Sequence, residues 1–394
     1  MCAPLTSAPA ARDTSRPAGR LYEIDLLRIV AALAVVFFHY TFSGYRQGLT
    51  AVGFSRLSEV TRYGYLGVDL FFTISGFVVL LSAWNRRPYQ FVISRVVRLY
   101  PAYLVAVTLT AVASVTLSRG LFPVSVRQYL VNLTMLNQPV GVPGIDVVYW
   151  TLWAELRFYV VVLALTWIGI TRRRIEVLCW GWLAVTFLLE LGVPPGAAGH
   201  ALDILVQSQY SHYFIAGMAL ATMYRYGHSY PLSAAVVVAS GNAVYRAVGF
   251  GHDVATRYGT PIHPAAVVGL VLAALAVLTL VALRVTQRWA YPWYALLGAL
   301  TYPLYLVHAR LGFIVFHRVG PAINRYLLLA LTVAAVLGLA YLIHAAVERP
   351  VAPILKRFLT GLLEPRRGTH RTGRGRSAGQ VPDLVGRRGA GPDL

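Results

Sequence analysis

The sequence predicts an all-α integral membrane protein of about ten transmembrane helices, with both termini in the cytoplasm. Three observations carry that expectation. The chain is 57% hydrophobic and 13% charged, against roughly a quarter charged in soluble proteins, and its mean hydropathy is +0.60. Its apolar residues gather into blocks of about 18–24, long enough to cross a hydrocarbon core of about 30 Å. In lipid only helices and closed barrels satisfy their own backbone, and blocks of this length are helices.

The blocks fall at about 25–43, 65–83, 101–117, 149–170, 175–192, 203–224, 231–249, 265–284, 292–316 and 325–347. The fifth and sixth are the weakest, because Pro194, Pro195, Asp203 and Gln207 interrupt or flank them. An even number of spans puts both ends on one side. Arginines choose the side: Arg12, Arg16, Arg20, Arg86, Arg87, Arg95, Arg98, Arg172, Arg173, Arg174, Arg284, Arg288 and the basic tail fall in segments of one side. The opposite loops hold fewer. Residues 1–20 read as a disordered cytoplasmic tail without a secretory signal, 21–350 as the membrane domain, and 351–394 as a basic, largely disordered cytoplasmic tail. A net charge of +20, spread over loops and tail without an aromatic stacking platform, points to membrane surface and an anionic co-substrate rather than nucleic acid. Cys2 and Cys179 are too far apart in sequence to suggest a disulfide framework or a thiolate metal site.

The first block, IDLLRIVAALAVVFFHYTF, carries Asp25, Arg28 and His39. At about 100° per residue, Arg28 lies roughly 20° and Asp25 roughly 40° from His39, so all three share one helix face. An ionisable group at membrane depth costs about 2.5–3.5 kcal/mol and marks a functional site by default. The competing reading is a core histidine hydrogen-bonded to a neighbouring helix. Between the second and third blocks, Arg95 and Arg98 stand three apart and are neighbours on a helix. They can grip phosphates bidentately, or simply hold topology. Asp69 opens the second block and can cap it, while Ser75 and Gly76 permit close helix contact. Glu155 in the fourth block must pair with a cation or be protonated; Arg28, Arg157 and His39 are the partners in prospect, and a structural ion pair and an acid/base role are equally open. His308, in the outer third of the ninth block, is less compelling than His39. No GxSxG, HExxH or phosphate-cradling loop appears, which leaves triad and zinc chemistry unsupported.

Taken in order, IDLLRIVAALAVVFFH, GYLGVDLFFTISGF, RVVRLYPAY, WTLWAELRFY, LTYPLYLVH and the closing ERP resemble the acyltransferase 3 family of integral-membrane O-acyltransferases, over about residues 21–350. The chain departs from the family pattern at Leu26 and Ile29, where small residues are common, and at Ala309 and Arg310 after His308. The resemblance implies transfer of an acyl group from acyl-CoA, a co-substrate rather than a resident cofactor, to a hydroxyl, with the first-span histidine essential and the Arg-x-x-Arg segment important. On that reading His39 is the general base, Arg28, Asp25 and Glu155 complete the catalytic set, and Arg95 and Arg98 bind the phosphates of CoA. The acceptor is then a secondary metabolite, such as a macrolide or polyketide or its sugar, or a cell-envelope sugar, and the site is the cell membrane. A transporter or flippase with a midplane polar site is the reading from a different class; it predicts internal repeats, and none is evident between the halves. A structural scaffold would leave the Asp25, Arg28 and His39 face unexplained.

Overall fold

The computed structural model describes residues 20–364, so most of the expected tails 1–20 and 351–394, namely 1–19 and 365–394, lies outside the described residues. Within them the chain is helical, without strands. Ten long helices follow the predicted blocks: α1 Tyr22–Arg46, α2 Gly67–Ala83, α3 Pro88–Leu117, α4 Trp150–Ile168, α5 Arg172–Glu190, α6 Ser211–Tyr226, α7 Tyr230–Tyr258, α8 Pro264–Ala282, α9 Tyr294–Val319 and α10 Arg325–Ile343. Eight of the described helical segments are long and apolar enough to cross a membrane; α5 and α6 are not among them.

Local chemistry sets several boundaries. Pro88 opens α3 where a missing N–H is harmless, and the Arg87 N–H donates to the Gln90 side chain at 3.1 Å. Asn324 accepts from the backbone of Tyr326 and Leu327 and so caps α10. The expected sixth span, 203–224, is corrected. Gly196–Val206 forms its own short helix, and Gln207 then turns left-handed at φ 47°, so the membrane helix begins only at Ser211. The tail boundary at 350 also moves. After π geometry over His344–Glu348, the chain stays helical through Arg349–Leu363, which packs along α3.

The core is organised around α6. Every residue from Ser211 to Thr222 is buried, because α2, α5 and α7 enclose the helix. A helix wrapped in protein need not match lipid in length or polarity. Its contact with α2 depends on two glycines facing each other: a Cβ on Gly76 would strike the Phe214 carbonyl, and one on Gly217 would strike the Thr73 carbonyl. Close backbone approach through small residues is how membrane helices gain packing energy. Gly217→Val should therefore destabilise the bundle by about 1–3 kcal/mol, read as a lowered thermal midpoint in detergent; an unchanged midpoint would contradict this packing.

On the other side of the molecule α1 lies against α9 and α2. Gly298 of α9 sits under the Asp25 side chain and Gly312 under the Tyr40 ring. The face of α1 that carries Asp25 and His39 is thus the face turned to α9.

Candidate active site

Four of the predicted residues meet in one cavity of about 110 Å³: Arg28 from α1, Arg95 and Arg98 from α3, and Glu155 from α4. Phe71 and Phe72 of α2, Tyr159 of α4, and Tyr302 and Tyr305 of α9 complete much of its wall. Three guanidiniums against one carboxylate leave an excess of positive charge. Arg28 has no ion pair among the described residues. The Arg95 guanidinium donates to Ser82 Oγ at 3.3 Å and lies over the rings of Phe91 and Tyr159, each at 5.7 Å. Arg98 lies over Tyr302 at 5.7 Å and 3.8 Å from Glu348, whose other oxygen is 2.7 Å from His344 Nδ1. The second π segment presents this Glu348–His344 pair to Arg98. The ERP ending was visible in the sequence, but nothing in it named Arg98 as the partner.

Glu155 meets none of its three expected partners in an ion pair. Its Oε1 accepts from Tyr159 at 2.5 Å and from Ser75 at 3.2 Å. Arg157 points away and donates to the Ile204 carbonyl at 3.1 Å. Nor does Asp25 reach His39. Its Oδ2 accepts from Arg20 Nε at 2.7 Å, and Arg20 also holds the Ala295 carbonyl at 2.8 Å. Asp25 therefore fastens the start of α1 to α9, immediately behind the arginine cavity. Asp69 accepts from the Tyr213 hydroxyl of α6 and lies outside that cavity.

His39 sits eleven residues beyond Arg28, about 16 Å along the helix axis. It is 9% exposed and starts the stretch His39–Ser43, where α1 widens to π geometry. Such bulges concentrate at functional sites. Its ring packs against Phe38 and Phe313. Its Nδ1 lies 2.8 Å from the Val35 carbonyl and 3.2 Å from Nε2 of His308.

His308, less compelling in the sequence, is fully buried against His39. Its Nδ1 lies 2.9 Å from the Tyr305 carbonyl. A carbonyl can only accept, so each Nδ1 carries a proton. His308 Nε2 is then an acceptor toward His39, and the lone pair of His39 sits on Nε2. The segment of α9 around His308 is pinned from three sides: Tyr40 donates to the His308 carbonyl at 2.7 Å, Tyr149 to the Leu306 carbonyl at 3.3 Å, and the Arg310 N–H to Asp146 at 2.9 Å. Burial raises the carboxyl of Asp146 above its ordinary value, against the pull of Arg310 and the backbone donors. Arg310 also donates to the Ile145 carbonyl and covers the Phe122 ring at 4.0 Å. The unusual arginine after His308 is a loop anchor and leaves the histidine pair alone. Tyr302, Tyr305 and His308 recur every three residues in LTYPLYLVH, a spacing that could have marked this face of α9 in advance.

Tyr305 divides the two regions. It lines the arginine cavity, and its ring is 5.7 Å from the ring of His308. The Tyr305 hydroxyl is fixed by Thr151 at 3.0 Å, and Phe71 packs on its ring. No group of three or more potential metal ligands occurs among the described residues.

No curated protein and no solved structure matches the chain. A family model described as an acyltransferase domain matches residues 21–345. That match spans α1 to the second π segment and takes in the arginine cavity and both histidines, so the chain belongs to the acyltransferase 3 family and is a multi-pass membrane acyltransferase.

Proposed function

We propose that this protein moves an acyl group from acyl-CoA to a hydroxyl, with His39 as general base and Arg28, Arg95 and Arg98 holding the phosphates of CoA. The observation that supports this most is one arrangement: an arginine-rich cavity at one end of α1, and a buried imidazole with an unprotonated Nε2 further along the same helix. The arginine excess of the loops puts that cavity on the cytoplasmic side, where CoA is found. The thioester end of the pantetheine arm reaches inward past Tyr305. His39 Nε2 takes the proton of the acceptor hydroxyl, and its oxygen attacks the thioester carbonyl. The carbon–sulfur bond then breaks, and the departing CoA thiolate takes the proton back from the imidazolium. Glu155 holds Tyr159 and offsets part of the arginine charge; Asp25 positions α1.

The acceptor class that fits a membrane enzyme of this size is a small natural product, such as a macrolide or polyketide or its sugar, or a cell-envelope sugar, acylated at the cell membrane. The test uses purified protein in lipid nanodiscs with acetyl-CoA and longer acyl-CoAs, together with mass spectrometry of metabolites and envelope glycans from cells with and without the protein. The expected result is release of free CoA thiol and one acyl increment that disappears with the protein. Neither thiol release nor a lost increment, with transport of a solute instead, would replace this reading with a transporter.

A further inference from the structure

At the end of the bundle opposite the arginine cavity lies a second and larger one, of about 680 Å³. We infer that this outer cavity is the acceptor site, and that it takes a hydroxylated acceptor carrying an oxyanion, phosphate or carboxylate. The inference rests on the acyl-transfer reading above and names its second substrate.

Position is the first argument. The cavity is lined by Thr41 and Phe42, the third and fourth residues of the π segment that begins at His39. Phe42 lies 5.7 Å from Phe38, and Phe38 lies 5.2 Å from the His39 ring. The rings of Phe42 and Phe38 thus link the cavity wall to the base. Its volume also falls in the range of about 300–1,000 Å³ usual for small-molecule sites.

Charge is the second argument. Arg46 and Arg325 line the cavity, and no carboxylate does. Glu59, on the short helix beside it, is already engaged by Arg62 at 2.7 Å. Arg46 has no ion pair among the described residues, and Arg325 spends one nitrogen on the Gly53 carbonyl at 2.7 Å. The neutral polar groups are mostly committed internally. Thr41 donates to the Phe37 carbonyl, Ser58 to the Ser55 carbonyl, and the Asn324 carbonyl oxygen caps α10. What remains to meet a ligand is chiefly guanidinium N–H, which matches oxyanions in pairs. Tyr45, 49% exposed, offers a ring on which the body of a sugar or an apolar acceptor can rest.

The experiment fills the inner cavity with CoA first, then titrates inorganic phosphate into the full-length protein in nanodiscs and reads thermal stability. Wild type is expected to be stabilised, and Arg46→Gln/Arg325→Gln to weaken the phosphate response at least tenfold while leaving CoA affinity unchanged. Glucose 6-phosphate and glucuronate are compared with glucose; the charged sugars should bind and the neutral one should not. Nanodiscs doped with a polyprenyl phosphate separate a lipid-borne phosphate from a soluble one. No response of wild type to phosphate, an equal response of the double variant, or equal binding of glucose and its phosphate would overturn the inference. Failure of CoA to bind would count instead against the donor assignment, because the Arg46→Gln/Arg325→Gln comparison still assigns the phosphate response to the outer cavity.

Discussion

His39→Ala is expected to lower acyl transfer by about 10²–10⁴-fold, the contribution of a well-placed general base, while CoA affinity stays at the wild-type value. The two readouts part because the residue lies about 16 Å along α1 from the arginine cavity. Its loss also opens a small void between Phe38 and Phe313 and leaves His308 Nε2 without a donor. Stability should therefore fall modestly, and the measurement must be made on protein shown by thermal melting and size exclusion to be folded and inserted. His39→Gln refills the void but offers no titratable nitrogen, so it should be as inactive as the alanine variant. Wild-type turnover by either folded variant would remove His39 from the chemistry.

The second large effect is on the donor. A hydrogen bond to a charged partner is worth about 1.5–3 kcal/mol, so Arg95→Gln or Arg98→Gln should each weaken CoA binding about tenfold or more, and the double variant on the order of 100-fold or beyond. The two residues should not respond alike. Arg98 already shares its charge with Glu348 at 3.8 Å, whereas Arg95 is held only by hydroxyls and ring faces. Arg95 is therefore expected to show the larger loss and the steeper dependence on salt. Isothermal titration with CoA and with dephospho-CoA would measure both; equal affinity across wild type and the double variant would take the phosphates elsewhere.

Helix existence was legible wherever a segment faces lipid, because lipid selects for long apolar runs. α6 shows the limit. Its surroundings are protein, so hydropathy carries little of its signal, and the break at Gln207 is a backbone event that no hydrophobic period announces. The shared face of Asp25, Arg28 and His39 follows from helix geometry alone, and in the structure it lies against α9. What that face touches belongs to tertiary structure. Of the partners of Asp25 and Glu155, Ser75 comes from another helix and Arg20 from outside the membrane blocks, whereas Tyr159 stands four residues on from Glu155 in α4, a spacing the sequence shows. The pairing of His39 with His308 joins residues 269 apart in the chain, and Glu348 reaches Arg98 because the end of α10 and its helical continuation pack beside α3.

The widening of α1 at His39–Ser43 has an evolutionary reading. A π turn holds one residue more than an α turn, as if a single amino acid had been inserted into a regular helix. Deleting one residue from Tyr40–Ser43 would let the turn close to α geometry with the helix beyond it left nearly in register, so that only the side chains of the bulge are re-aimed. Tyr40 would lose the His308 carbonyl, and Phe42 would swing off the floor of the outer cavity. His39, which precedes the deletion, would keep its facing relative to Asp25 and Arg28. The bulge is thus the kind of change by which a regular membrane span reshapes the wall beside an existing histidine in one mutational step.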